Sequence, residues 1–184
     1  MRARLFIQTK NKNSAWETFK PWLGSLALLP FMIYYTMNEG KFTFIDFVNL
    51  LIHEGGHGVF KVFGKFIYTL GGSLMQILIP SMFIVYYSIK RIRFGAQIFL
   101  LWLGENFMNI SVYVADARAK QLPLLGGNKV YHDWNYLLGV TGLLEYDKIL
   151  GTIIYGTGVL MFVVSFLLPL FMKSYREVKI DLPI

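Results

Sequence analysis

Five stretches of this chain, residues 22–37, 42–60, 66–88, 94–115 and 149–172, are each apolar for close to the length that a helix needs to cross a bilayer. At a rise of about 1.5 Å per residue, about twenty apolar residues cover the roughly 30 Å of hydrocarbon. Lipid offers no partner to a free peptide group, so such stretches must be helical. The expected fold is all-α, a polytopic transmembrane helical bundle of about five spans. Composition points the same way: 55% of the residues are hydrophobic and 16% charged, too few charges to clothe a water-soluble globule. No internal repeat, low-complexity tract or Pro/Ser-rich linker divides the chain, so residues 1–184 read as one integral membrane domain. Nothing in the sequence sets its oligomeric state.

Residues 1–21 form a basic segment ahead of the first span, with Arg2, Arg4, Lys10, Lys12 and Lys20, and with Trp16 and Phe19 near its end. An amphipathic segment of this kind is expected to lie on the headgroup layer. The net charge of +7 is spread between apolar runs, where Lys and Arg act as topology signals and contacts to lipid headgroups. The bilayer is therefore an expected partner, and nucleic acid is not. With five crossings and a cytosolic N-terminus, eleven of the 18 Lys and Arg fall in the cytosol and seven outside, although the cluster Lys90, Arg91, Arg93 then lies outside. The expectation is a bacterial cytoplasmic membrane protein. Whatever the orientation, the second run ends near His57 and the fourth, two crossings later, near Asp116 on the same side. The polar connection 117–148 lies there too, and 149–172 reads as a C-terminal anchor helix.

The second run is apolar overall but carries Asp46, Asn49, His53, Glu54 and His57, and ionisable groups inside a span are costly enough to signal function. Residues four apart share a helix face, so His53 and His57 of His53-Glu54-Gly55-Gly56-His57 can turn one imidazole nitrogen each to a single ion with Glu54 beside them. This is the zincin arrangement: two imidazoles hold Zn²⁺, and the neighbouring carboxylate takes a proton from zinc-bound water as it attacks a carbonyl. The chain has no cysteine, so any zinc must be held by His and carboxylate. Asp46, Asn49, His53 and His57 step by three, four and four residues, one polar stripe along the helix, from which Asp46 or Asn49 can orient the site. Gly55, Gly56 and Gly58 suit close approach by a substrate backbone or, equally, by another helix.

The third ligand is left open among three residues. Glu105, Asn109 and Asp116 fall in one angular sector of the fourth run, and Asp116 sits at the right membrane edge to complete a His₂Asp site, or is solvated there beside Arg118. His132 is the only other histidine. Asp133 ranks third, since it also suits the N-cap of a short helix running through Leu144. Asn109 is expected to donate hydrogen bonds to substrate or ligands. Glu105 is expected to support the site or relay protons, or else to be neutral and bonded to Gln76.

This pattern resembles the site-2 protease family of intramembrane zinc metalloproteases, over residues 42–116, the zinc-protease core. His53, Glu54 and His57 match its pentad. Asn109 with Asp116 is similar to its second motif, without the prolines between Asn and Asp or the glycine after Asp. The resemblance implies a minimal member with no soluble peptide-binding domain. Its partner would be a transmembrane protein or peptide substrate, and Glu54 would act as general base near the cytosolic face. The alternative is a non-catalytic membrane protein that binds a metal or haem through histidines, in metal handling, transport or electron transfer.

Overall fold

The computed structural model describes residues 15–123 and 131–172; residues 1–14 of the basic segment and the Gly126-Gly127 pair lie outside them. Among the described residues all regular elements are helical. They are α1 (Ala15–Phe19), α2 (Leu23–Met37), α3 (Phe44–Phe60), α4 (Gly64–Ile89), α5 (Arg93–Ala115), α6 (Asp133–Val140) and α7 (Asp147–Phe171), with single 3₁₀ turns at Lys20–Trp22, Lys61–Phe63 and Leu144–Tyr146. The five apolar runs thus become α2, α3, α4, α5 and α7. Three stretches are long and apolar enough to cross a membrane: Phe44–Ile89, Arg93–Ala115 and Leu144–Phe171.

The first of these, 46 residues long, is a hairpin. Gly64 has φ +84°, a left-handed conformation that turns α3 back along α4. The two arms then touch backbone to backbone. A Cβ added to Gly71 would lie 2.9 Å from the Gly56 carbonyl oxygen, so only glycine fits at this crossing. At its start α3 is closed by a capping box. The Thr43 N–H and Oγ1–H both donate to Asp46 Oδ2, at 2.6 and 2.8 Å, the first of which satisfies a backbone group that lipid would leave bare.

Contacts along α5 fix the direction of every long helix. α4 runs antiparallel to it, with Tyr87 over Gly95, Phe83 stacked on Phe99 and Gln76 bonded to Asn109. α7 is also antiparallel, with Ser165 beside Gln97 and Gly151 beside Ser111. α2 is parallel, from Gly24 at Gln97 to Gly40 at Val112. The chain therefore leaves α2 at the same end of the bundle where α3 hands over to α4. α3 enters and leaves at one end, because Asp46 at its start already bonds Asn109, late in α5.

The packing is inside-out relative to a water-soluble protein. Asn49, Gln97, Asn106 and Asp147 are completely buried, whereas Phe44 (85% exposed) and Phe171 (81%) stand outside. Buried apolar residues include two small clusters, Leu28, Met32, Met108 and Phe162, and Ile110, Val114, Ala117 and Leu138. Polar groups pairing with each other inside and apolar groups outside are compatible with a lipid surround.

Candidate metal centre

His53 and His57 point from α3 toward Asp133, the first residue of α6. His53 Nε2 lies 3.0 Å and His57 Nε2 3.2 Å from Asp133 Oδ2, and the three ligand atoms lie within 4.8 Å of one another. Tetrahedral zinc with bonds of about 2.0–2.1 Å separates its ligands by about 3.3 Å, so both carboxylate distances match a shared ion.

The other ring nitrogens decide what those atoms carry. His57 Nδ1–H donates to the Tyr68 carbonyl at 2.8 Å, an acceptor only, which leaves Nε2 with a lone pair. For His53 the assignment comes through a chain of amides that starts at a carboxylate. Asp46 Oδ1 accepts from Asn109 Nδ2 at 2.7 Å; Asn109 Oδ1 then accepts from Gln76 Nε2 at 3.0 Å; Gln76 Oε1 is left to accept from His53 Nδ1–H at 2.9 Å. His53 Nε2 therefore bears a lone pair too. Two imidazole Nε2 atoms and a carboxylate oxygen converge on one point; without an ion, protonated rings donate to Asp133 there, and a bound cation would take the place of those hydrogens. Burial pushes the Asp133 carboxyl up, but the bonds from His53 and His57 outweigh it and hold the group below the usual carboxylate range.

Asp133 is held in place from the end of α5. Its N–H donates to the Tyr113 hydroxyl at 3.1 Å, and Asn135 Nδ2 donates to the Ala117 carbonyl at 2.9 Å. The N-cap of α6 is His132, whose Nδ1 accepts from Asn135 N–H at 3.2 Å, so Asp133 is not spent on capping. His132 Nε2 consequently carries the proton and faces Asp116 Oδ2 at 3.3 Å. Burial lowers the His132 pKa, partly offset by Asp116.

Of the three residues open as third ligand, the structure thus brings Asp133 to the histidines and pairs Asp116 with His132 behind it. The reason lies in the helix end. α5 stops at Ala115, and Asp116 turns off the helical spiral to accept from the N–H groups of Gln121 and Leu122, both at 3.0 Å. Arg118 does not pair with Asp116; it bonds Asp147 at 2.7 Å and Glu145 at 2.8 Å. Glu105 bonds Asn49 Nδ2 at 2.7 Å rather than Gln76, and Asn49 also accepts from Trp102 Nε1 at 2.9 Å. Asn49 and Glu105 lie away from the ligand atoms, in the polar layer between α3 and α5.

Glu54 is exposed and lines, with His53, His57, Tyr68, Tyr113 and Asp133, a cavity of about 630 Å³. Gly56 is consumed by helix packing, whereas a side chain at Gly55 or Gly58 would meet nothing within 4 Å. Gly72 backs the centre, since a Cβ there would lie 2.6 Å from two carbons of the His53 ring. Tyr113 and Gln76 were not expected at the centre. Tyr113 continues the stripe Glu105, Asn109 by one further step of four, and extending that stripe is the signal that finds it. Compared with protein-family models, curated proteins and solved structures, the chain matches none.

Proposed function

We propose that the chain is an intramembrane zinc metalloprotease with four crossing helices, α2, α4, α5 and α7, and with α3 re-entering from one face to carry the histidines. The observation that supports this reading above others is the convergence of His53 Nε2, His57 Nε2 and the Asp133 carboxylate beside the Glu54 carboxylate, at the wall of a cavity wide enough for an extended peptide. His53, His57 and Asp133 would hold the ion. A zinc ion held there would supply Lewis acidity and lower the pKa of water toward neutrality.

The remaining work falls to the chain. Glu54 takes the proton of the attacking water and returns it to the leaving amine. The Asp46–Asn109–Gln76 chain keeps His53 in its ligating tautomer. A helical substrate pairs its own peptide groups, so it must unwind to present a carbonyl, and Gly-rich or polar segments unwind most readily. The pentad is shared with the site-2 protease family; in this reading the carboxylate ligand comes from the start of α6 instead of the end of α5.

The test is Glu54→Gln in the purified, zinc-loaded full chain, assayed on a quenched-fluorescent peptide carrying a Gly-rich apolar segment. Turnover is expected to fall by about 100-fold or more with zinc per chain unchanged. Cleavage at the wild-type rate would sink the hydrolytic mechanism and leave a non-catalytic metal-binding membrane protein.

A further inference from the structure

The re-entry of α3 redistributes charge between the two ends of the bundle. At the metal end lie the C-termini of α2, α3 and α5 and the N-termini of α4, α6 and α7. At the remote end lie the start of α2, the α4–α5 link and the end of α7, brought together by the Trp22–Phe166 ring contact and by Arg93 donating to the Met172 carbonyl at 3.2 Å. Lys90, Arg91 and Arg93 therefore share an end with Lys20 at the start of α2 and with Met172 at the end of α7. The sequence at and beyond that end carries eleven Lys and Arg against Glu17, Glu177 and Asp181. The metal end, with its flanking sequence, carries seven against Glu39, Asp46, Glu54, Asp116, Asp133, Glu145 and Asp147. One end has an excess of eight positive charges and the other none. With five crossings the three basic groups would have been divided between the two sides; with four they coincide.

We infer that the remote end is a docking surface for the anionic headgroups of the cytosolic leaflet, and that the metal centre opens on the opposite, non-cytosolic face. Basic residues flanking spans are retained in the cytosol, and an anionic leaflet attracts each of them within a Debye length. The exposed aromatic rings of Trp16 and Phe19, beside Lys20, are suited to the same headgroup level. The N-terminus stays cytosolic, as with five crossings, but the metal centre lies on the other face. It also narrows the substrate class to segments that reach the outer half of the bilayer or emerge from it there. The inference rests on the membrane reading of the fold and not on hydrolysis.

The chain has no cysteine, so single cysteines report orientation without background. Ala119→Cys marks an exposed position at the metal end and Ile92→Cys an exposed one at the remote end. In spheroplasts expressing the full chain, a membrane-impermeant maleimide is expected to label Ala119→Cys, and Ile92→Cys only after permeabilisation; both should label in detergent. The reverse pattern, or equal labelling of both in spheroplasts, overturns the inference. Changing Arg2, Arg4, Lys10 and Lys12 to Gln leaves seven Lys and Arg at each end, all four substitutions lying outside the helices described. The labelled share of Ala119→Cys should then fall to about half. An unchanged share would show that headgroup attraction does not set the orientation. Neither result bears on Glu54, whose assay stands or falls separately.

Discussion

Replacing Gln76 by Met isolates the part of the centre that touches neither the ion nor the substrate. Met keeps the length and most of the volume of Gln, so the α3–α4 packing survives. What disappears is the 2.9 Å acceptor of His53 Nδ1–H and the donor that reaches Asn109 Oδ1 at 3.0 Å and Asn106 Oδ1 at 3.3 Å. Both asparagines keep a strong bond through their other amide atom, to Asp46 and to the Trp102 carbonyl. The His53 N–H keeps none, and leaving a buried donor unpaired costs about 1–3 kcal/mol. The ring then gains by turning, or by moving its proton to the nitrogen that should ligate. Loss of a partner behind a metal-bound histidine costs about 10- to 100-fold in metal affinity, or about 1.4–2.8 kcal/mol. Competition for zinc against a chromogenic chelator, at fixed pH in detergent, measures this directly. Gln76→Glu retains an acceptor and is expected to stay within about tenfold of wild type. Wild-type zinc affinity in Gln76→Met, or an equal loss in Gln76→Glu, would refute the tautomer argument.

Two further outcomes test the placement of the ligands. Asp133→Ala is expected to lose stoichiometric zinc, whereas Asp116→Ala, which removes the partner of His132 and the acceptor of the Gln121 and Leu122 N–H groups but no ligand, should retain it with a loss of about tenfold in affinity; zinc analysis of the purified proteins decides. Gly72→Ala drives a methyl into the His53 ring and should lower stability by about 1–3 kcal/mol along with zinc affinity. Gly55→Ala, which meets nothing, should be neutral or stabilising by up to about 1 kcal/mol, read from thermal unfolding of the two variants side by side.

Apolar run length made the helices legible in the sequence, since the five runs match α2, α3, α4, α5 and α7 to within two residues. It carried no information on which helix traverses the bundle. α3 has 17 residues, enough in length for a short span. Its return to the same end is decided by tertiary bonds, Asp46 to Asn109 and Asn49 to Glu105, that no local pattern encodes. The pentad was legible because its geometry is intrahelical: a spacing of four fixes His53 and His57 on one face. Asp133 lies 80 positions after His53, and spacing alone could not choose between it and Asp116. Extrapolating the α5 spiral by one residue past Ala115 favoured Asp116; the helix end broke that extrapolation.

Those 80 positions also order events in time. His53 and His57 leave the ribosome together, but Asp133 follows only after α4 and α5 have been made. At about 5–20 residues per second that interval is roughly 4–16 s. Throughout it a nascent chain offers two of the three proposed ligands, a poorer trap for a metal than the full set. On the proposed reading, metal capture is thereby deferred until α5 is in place and α6 has folded onto its end, and a chain interrupted before Asp133 carries the pentad without its carboxylate ligand.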